Sequence, residues 1–218
     1  MNNKKSNKQL SLEWLGGIWI LLVMVSFSSI VILNSTFIYR LVDDHYRLPY
    51  ITGLTREALM ENYRQIIVYL QLPWIRELYM PDFIMSETGR IHFEEVKIIF
   101  QVLFGIVILS LPALVFAIIK RMKLLPMLNK AANLIFILFG LIAITMLISF
   151  ERAFLWFHLI FFNNDYWIFS PITDPVILAL PAELFMISGI AIIVILFASS
   201  ILIKFYYYRY YKKRNSNI

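Results

Sequence analysis

The sequence predicts an all-α membrane protein: four transmembrane helices, both ends of the chain on the cytoplasmic face, and a helical extracytoplasmic segment between spans 1 and 2. Three observations predict it. The 218-residue chain is 60% hydrophobic and only 16% charged, against roughly 25% charged in a soluble domain. It contains four charge-free apolar runs of 20 or more residues, each long enough to cross a bilayer core as helix. Three segments, the N-terminus, the link between spans 2 and 3 and the C-terminal tail, carry basic residues with no acid before Glu13 in the first and none in the others, as the positive-inside rule requires of one side.

The runs are Trp14 to Tyr39, Ile98 to Ile119, Ala131 to Phe150 and Leu184 to Ile203. Backbone N–H and C=O groups in lipid must pair within their own segment, so each run is expected to be helical. With their flanks, the expected spans are about 14–39, 96–119, 131–156 and 181–205, within one membrane domain covering 1–218. The first run follows Lys4, Lys5 and Lys8 as a signal sequence would. Its apolar core is long and lacks a small-residue cleavage site, so it reads as a retained anchor.

Orientation follows from charge. Lys120, Arg121, Lys123 and Lys130 lie between spans 2 and 3, and Lys204, Arg209, Lys212, Lys213 and Arg214 lie in the tail, with no acid in either segment. The N-terminal segment is likewise basic, so all three are expected in the cytoplasm. Segments 40–95 and 157–180 are then extracytoplasmic. In the first, Thr55 can cap a helix from about Arg56 to Leu70, whose apolar face is Leu59, Tyr63, Ile66 or Ile67, and Leu70. Pro73 stops it, and a short turn around Trp74 to Met80 is expected to follow. Ser86 can cap a second helix that runs without a breaker into span 2.

There is no Cys, so disulfides, thiol nucleophiles and thiolate metal sites are excluded. No G-x-S-x-G elbow, HExxH motif, P-loop or dinucleotide fingerprint is present, which disfavours elbow-type serine hydrolysis and nucleotide-driven transport. Basic charge at span ends is explained by orientation and gives no reason to invoke nucleic acid or nucleotide partners. Charges inside the spans are too few to argue for a pore.

Two histidines stand out. His92 lies six residues before Ile98, roughly 9 Å beyond the apolar core at 1.5 Å per residue. His158 emerges from span 3 on the same side, in the aromatic stretch WFHLIFFNNDYWIFSP. Imidazole exchanges protons near neutral pH, and a carboxylate can orient it. Glu95, three residues after His92, and Glu151, seven before His158, are candidate orienters. Arg152, Asn163 and Tyr166 are candidates to steady an oxyanion. Asp165 or Asp174 could instead complete a His/His/carboxylate metal site, although no spacing defines one. His45 has no comparable context. Plainer roles also suit these residues: helix termini or salt bridges for Glu95 and Glu151, and an aromatic belt and polar turn for Arg152, Asn163 and Tyr166.

The stretches TGLTREALMENYRQIIVYL, SETGRIHFEEVKIIF and FHLIFFNNDYWIFSPITDPVILALPAELF resemble a Firmicute integral membrane family, the lipoprotein intramolecular transacylases (Lit), over nearly the whole chain. The resemblance implies an acyltransferase of the bacterial cell membrane with its active site on the extracytoplasmic side. Its substrates would be diacylglyceryl-modified lipoproteins within membrane lipid. The sn-2 acyl chain would pass to the α-amino group of the lipoprotein's N-terminal Cys, giving the lyso-form. The family's histidine pair matches His92 and His158. No cofactor or metal is implied, and the oligomeric state is left open. Two other readings use the same residues: an interfacial lipid-ester hydrolase, metal-assisted or not, and a non-enzymatic membrane adaptor or sensor.

Overall fold

The computed structural model describes residues 6–120 and 122–216, without the side chains of 214–216. Lys4, Lys5 and Arg121, used above for orientation, lie outside the described residues, as does the side chain of Arg214. The described residues form eight α-helices and one 3-10 turn, with no strand among them: α1 Asn7–Leu33, α2 Thr36–Tyr46, α3 Leu48–Thr52, α4 Arg56–Gln71, α5 Glu87–Ile119, α6 Leu124–Ile148, α7 Phe150–Phe161, the 3-10 turn Pro175–Leu178 and α8 Ala182–Ser216. Four of these, α1, α5, α6 and α8, are long and apolar enough to cross a membrane.

The caps follow local chemistry. Thr55 Oγ1 accepts from Ala58 N (3.2 Å) and opens α4, while Ser86 Oγ accepts from Gly89 N (3.0 Å) and opens α5. Helix α4 ends at Gln71, two residues before Pro73. The chain from 72 to 86 then runs in turns and irregular structure.

Two expected spans are corrected at their C-terminal ends. Helix α1 stops at Leu33, because Asn34 turns its side chain back onto Ile30 O (2.8 Å) and α2 starts afresh at Thr36. Helix α6 stops at Ile148, because Ser149 is extended (φ −160°, ψ 110°) and its hydroxyl caps the new helix α7 by accepting from Arg152 N (3.3 Å). Residues 34–39 and 149–156 therefore belong to separate short helices rather than to the spans.

In the bundle, α1 packs against α5, α6 and α8, and α6 also packs against α8. Glycine permits the closest of these approaches: a β-carbon on Gly17 would lie 2.7 Å from Lys130 Cβ of α6. Above the bundle, α2, α3, α4, the loop around Met80, the 3-10 turn and the first turns of α5 and α8 enclose a second core of Tyr39, Val42, Leu48, Leu59, Leu70 and Val176. Tyr39 and Tyr63 stack face to face within this cap (centroids 4.1 Å, 9°).

Polar side chains fasten the cap to α5. Gln101 Nε2 donates to Leu70 O (2.8 Å) and Gln71 O (3.0 Å), satisfying carbonyls at the end of α4. Lys97 donates to Ile75 O and lies over the Tyr69 ring at 4.2 Å. Asn62, buried on α4, donates to Asp82 Oδ2 (2.7 Å) and so holds the irregular loop.

Candidate active site

Helices α5 and α7 bring two histidines together. The rings of His92 and His158 lie 6.0 Å apart, inclined at 33°, and both residues are more than nine-tenths buried. Their shell is aromatic. Phe162 sits 4.7 Å from His92 and Phe169 5.6 Å, Phe154 sits 4.2 Å from His158, and Trp167 stacks on His158 at 4.3 Å and 29°. His45 is elsewhere in kind: it is exposed on α2, with its ring against Tyr46 at 4.8 Å.

The tautomer of His158 is fixed by the backbone. Its Nδ1 lies 2.7 Å from Phe154 O, and a carbonyl oxygen can only accept. Nδ1 therefore carries the hydrogen, and neutral His158 has its lone pair at Nε2. Burial in this aromatic shell pushes its pKa below the ordinary value, against an opposing pull from the Phe154 carbonyl. The ring is accordingly a neutral proton acceptor at pH 7.

His92 is held differently. Its Nδ1 and Glu95 Oε2 are 3.9 Å apart, beyond hydrogen-bond reach, and both atoms are buried without a hydrogen-bond partner. Glu95 Oε1, by contrast, accepts from Asn164 Nδ2 at 2.7 Å. Asn164 is the residue that sequence reasoning passed over in favour of its neighbour. Asn163 is exposed, whereas Asn164 points to α5 and also closes its own turn by accepting from Tyr166 N at Oδ1 (3.1 Å). Trp167, from the same aromatic stretch, packs on an imidazole. Only the clustering of polar residues within an aromatic run pointed toward this turn.

The other expected residues are distributed around the pair. Glu151 is exposed at the start of α7, two turns before His158, and accepts from Ser149 Oγ (2.9 Å). Its own backbone N–H and the Ser149 hydroxyl hold its carboxyl below the usual range. The orienting position expected for it is taken by the Phe154 carbonyl. Arg152 is likewise exposed at that end of α7. Asp174 is buried, and its Oδ1 accepts from Ser86 N (2.8 Å) and Ser86 Oγ (2.9 Å), clamping the 162–174 loop onto the start of α5. A β-carbon on Gly89 would collide with that oxygen. Asp165 and Tyr166 line an open pocket of about 310 Å³ with Thr88 and Ile168. Among the described residues, no three of His, Asp and Glu converge as a metal site would require.

The family model described as "Lipoprotein intramolecular transacylase Lit" matches residues 14–185. Solved structures that resemble the chain include an in meso structure of the membrane integral lipoprotein intramolecular transacylase Lit from Bacillus cereus. Its TM-score is 0.83 at 28% identity, and the match covers 95% of this chain and 98% of that one. A form of the same Bacillus cereus protein with a histidine replaced by arginine gives 0.75 at 27%, covering 95% and 94%. A form with a histidine replaced by alanine gives 0.75 at 28%, covering 94% and 95%. A search of curated protein sequences finds no match.

Proposed function

The chain belongs to the lipoprotein intramolecular transacylase Lit family, an acyltransferase family of integral membrane proteins, and from that premise we propose that it rearranges diacylglyceryl-modified lipoproteins. The sn-2 acyl chain passes from the glycerol oxygen to the α-amino group of the same lipoprotein's N-terminal Cys. The observation that carries this reading is the buried pair of imidazoles, His92 and His158, with a free Nε2 lone pair fixed on His158 by Phe154 O.

The proton transfers balance around that pair. The substrate amine arrives as an ammonium and gives one proton to neutral His92, beside the Glu95 carboxylate. The freed amine attacks the ester carbonyl, a C–N bond forms, and His158 Nε2 takes a second proton from the new ammonium. The tetrahedral oxyanion collapses, the C–O bond breaks, and the glycerol oxygen leaves with the proton held by His92. His158 then releases its proton to solvent. Tyr166, Asn163 and Arg152 are the candidates to steady the oxyanion. Amine and ester belong to one molecule, so much of the acceleration comes from orientation, and the aromatic shell shields the ester from hydrolysis. An amide is more stable than the ester it replaces, so the transfer calls for no ATP.

We place both termini in the cytoplasm and the histidine pair on the extracytoplasmic side of the bacterial cell membrane. Supporting this, Lys120, Lys123, Lys130, Lys204, Arg209, Lys212 and Lys213 flank the opposite ends of the spans without acidic residues among the loop and tail segments. The test is purified protein with a synthetic diacylglyceryl lipopeptide. Substrate and product have equal mass, so fragmentation must locate the chain on nitrogen. His92→Ala and His158→Ala are each expected to insert normally and lose at least about 10²-fold in rate. Conversion by both variants at the unmodified rate would overturn the assignment, and release of free fatty acid by the intact protein would indicate a hydrolase instead.

A further inference from the structure

Deepening that reading of the reaction, we propose that Asn164 is the positioning residue for both imidazoles, acting on His92 through Glu95 and on His158 through Trp167. Asn164 lies in the turn after α7, and each end of it faces a different histidine's support. Its side-chain Nδ2 donates to Glu95 Oε1 at 2.7 Å. Its backbone O accepts from Trp167 Nε1 at 3.2 Å, which holds the indole stacked over His158. One residue thus ties the α7 turn to α5 and fixes the two supports relative to each other.

The Glu95 arm has a specific chemical task. With Oε1 committed to Asn164, Oε2 is the oxygen left facing His92 Nδ1, and both facing atoms are buried and unpartnered at 3.9 Å. A shift of about 1 Å brings them to hydrogen-bond distance. Neutral His92 then carries its hydrogen at Nδ1, facing this oxygen, and takes the ammonium proton at Nε2; the Nδ1–H···Oε2 contact shortens as the ring becomes charged. The carboxylate therefore orients the neutral ring and stabilises the charged form more strongly, which favours the protonated state reached during the reaction over the resting enzyme. The Trp167 arm is steric: it holds the His158 ring in the plane where Nδ1 meets Phe154 O and Nε2 faces the substrate.

Hydrogen-bond direction supplies the test, in full-length protein reconstituted in phospholipid nanodiscs with the synthetic lipopeptide. Glu95→Gln still accepts from Asn164 with its oxygen, so it turns an amide N–H toward His92 Nδ1 and imposes the tautomer that cannot take a proton at Nε2. Asn164→Asp sets two carboxylates against each other. Each is expected to lower kcat roughly 10- to 100-fold with KM little changed. In the double variant the introduced glutamine donates to the introduced carboxylate and presents its own oxygen to His92. It should recover at least about tenfold over either single variant, a coupling that loss of mere packing does not produce. Trp167→Phe keeps a ring over His158 without the indole N–H and should cost only about tenfold or less.

The chain has three histidines, so ¹⁵N-histidine labelling gives three imidazoles to follow by NMR, independently of turnover. The Nδ1 signal of His92 should move to the unprotonated position in Glu95→Gln and return in the double variant. A double variant no faster than the singles, or a His92 signal indifferent to Glu95→Gln, overturns the positioning role. The NMR shifts appearing as described while the wild-type protein makes no N-acyl product would sink the proposed reaction and leave the positioning role standing.

Discussion

The cap and the membrane bundle are built on opposite terms. In the cap, short helices enclose side chains that are essentially unexposed, among them Tyr39, Val42, Leu48 and Leu59. In the most apolar window of each span, only 17% of α1, α6 and α8, and 6% of α5, is buried inside the protein. The cause is solvent. Water forces the cap to hide its apolar faces, whereas acyl chains cover Leu147 or Ile148 as well as protein would. The bundle therefore relies on a few close approaches, such as Gly17 against α6, and the cap on dense packing with polar ties. The histidines lie where the two regimes meet. Helix α5, the least buried span, carries His92 at the end that the cap grips.

This contrast can be broken in four ways, in falling order of effect. Leu59→Ala, at a position 1% exposed in the cap, should cost about 2–5 kcal/mol in stability by denaturant titration of the detergent-solubilised protein. Asp174→Ala frees Ser86 and the start of α5 and should cost about 1–3 kcal/mol. Faster proteolysis in the 162–174 loop would accompany it, and an unchanged cleavage rate would show that the clamp is idle. The third concerns acid. Protonating His158 removes the Nε2 lone pair, so turnover is lost as pH falls. Burial sets its pKa below the ordinary value of about 6.5, so the rate should hold from pH 8 to about 6.5 and fall about tenfold per unit below the shifted pKa. A half-loss above pH 7 would contradict a buried neutral base. Last, Leu147→Ala, 85% exposed on α6, should change stability by no more than about 0.5 kcal/mol, and a cap-sized loss there would erase the distinction.

The same contrast explains what could be read from sequence. The four membrane helices announce themselves by composition over 20-residue windows, and the Thr55 and Ser86 caps by a single residue before a periodic pattern. The interruptions at Asn34 and Ser149 did not, because one small polar residue inside an apolar run is compatible with continued helix, and only tertiary packing decides. Counting residues beyond the apolar runs put His92 and His158 at a common level. It could not choose between Asn163 and Asn164, adjacent residues of one turn that face opposite ways. Nor could it place Glu151, whose spacing from His158 on one helix leaves it two turns distant.

The interruption at Ser149 has a consequence for how the enzyme meets bilayers of different thickness. Had α6 continued straight, His158 would stand roughly 13 Å beyond Ser149 along the axis of α6. Because α7 is a separate rod, its direction is set by the break at Ser149, by its packing on α6 and by the turn after it, where Asn164 donates to Glu95 of α5. Tilt is how a membrane helix meets a change in lipid thickness, and the break at Ser149 gives α6 and α7 separate axes, so a lean of the span is not carried rigidly into the helix that bears His158.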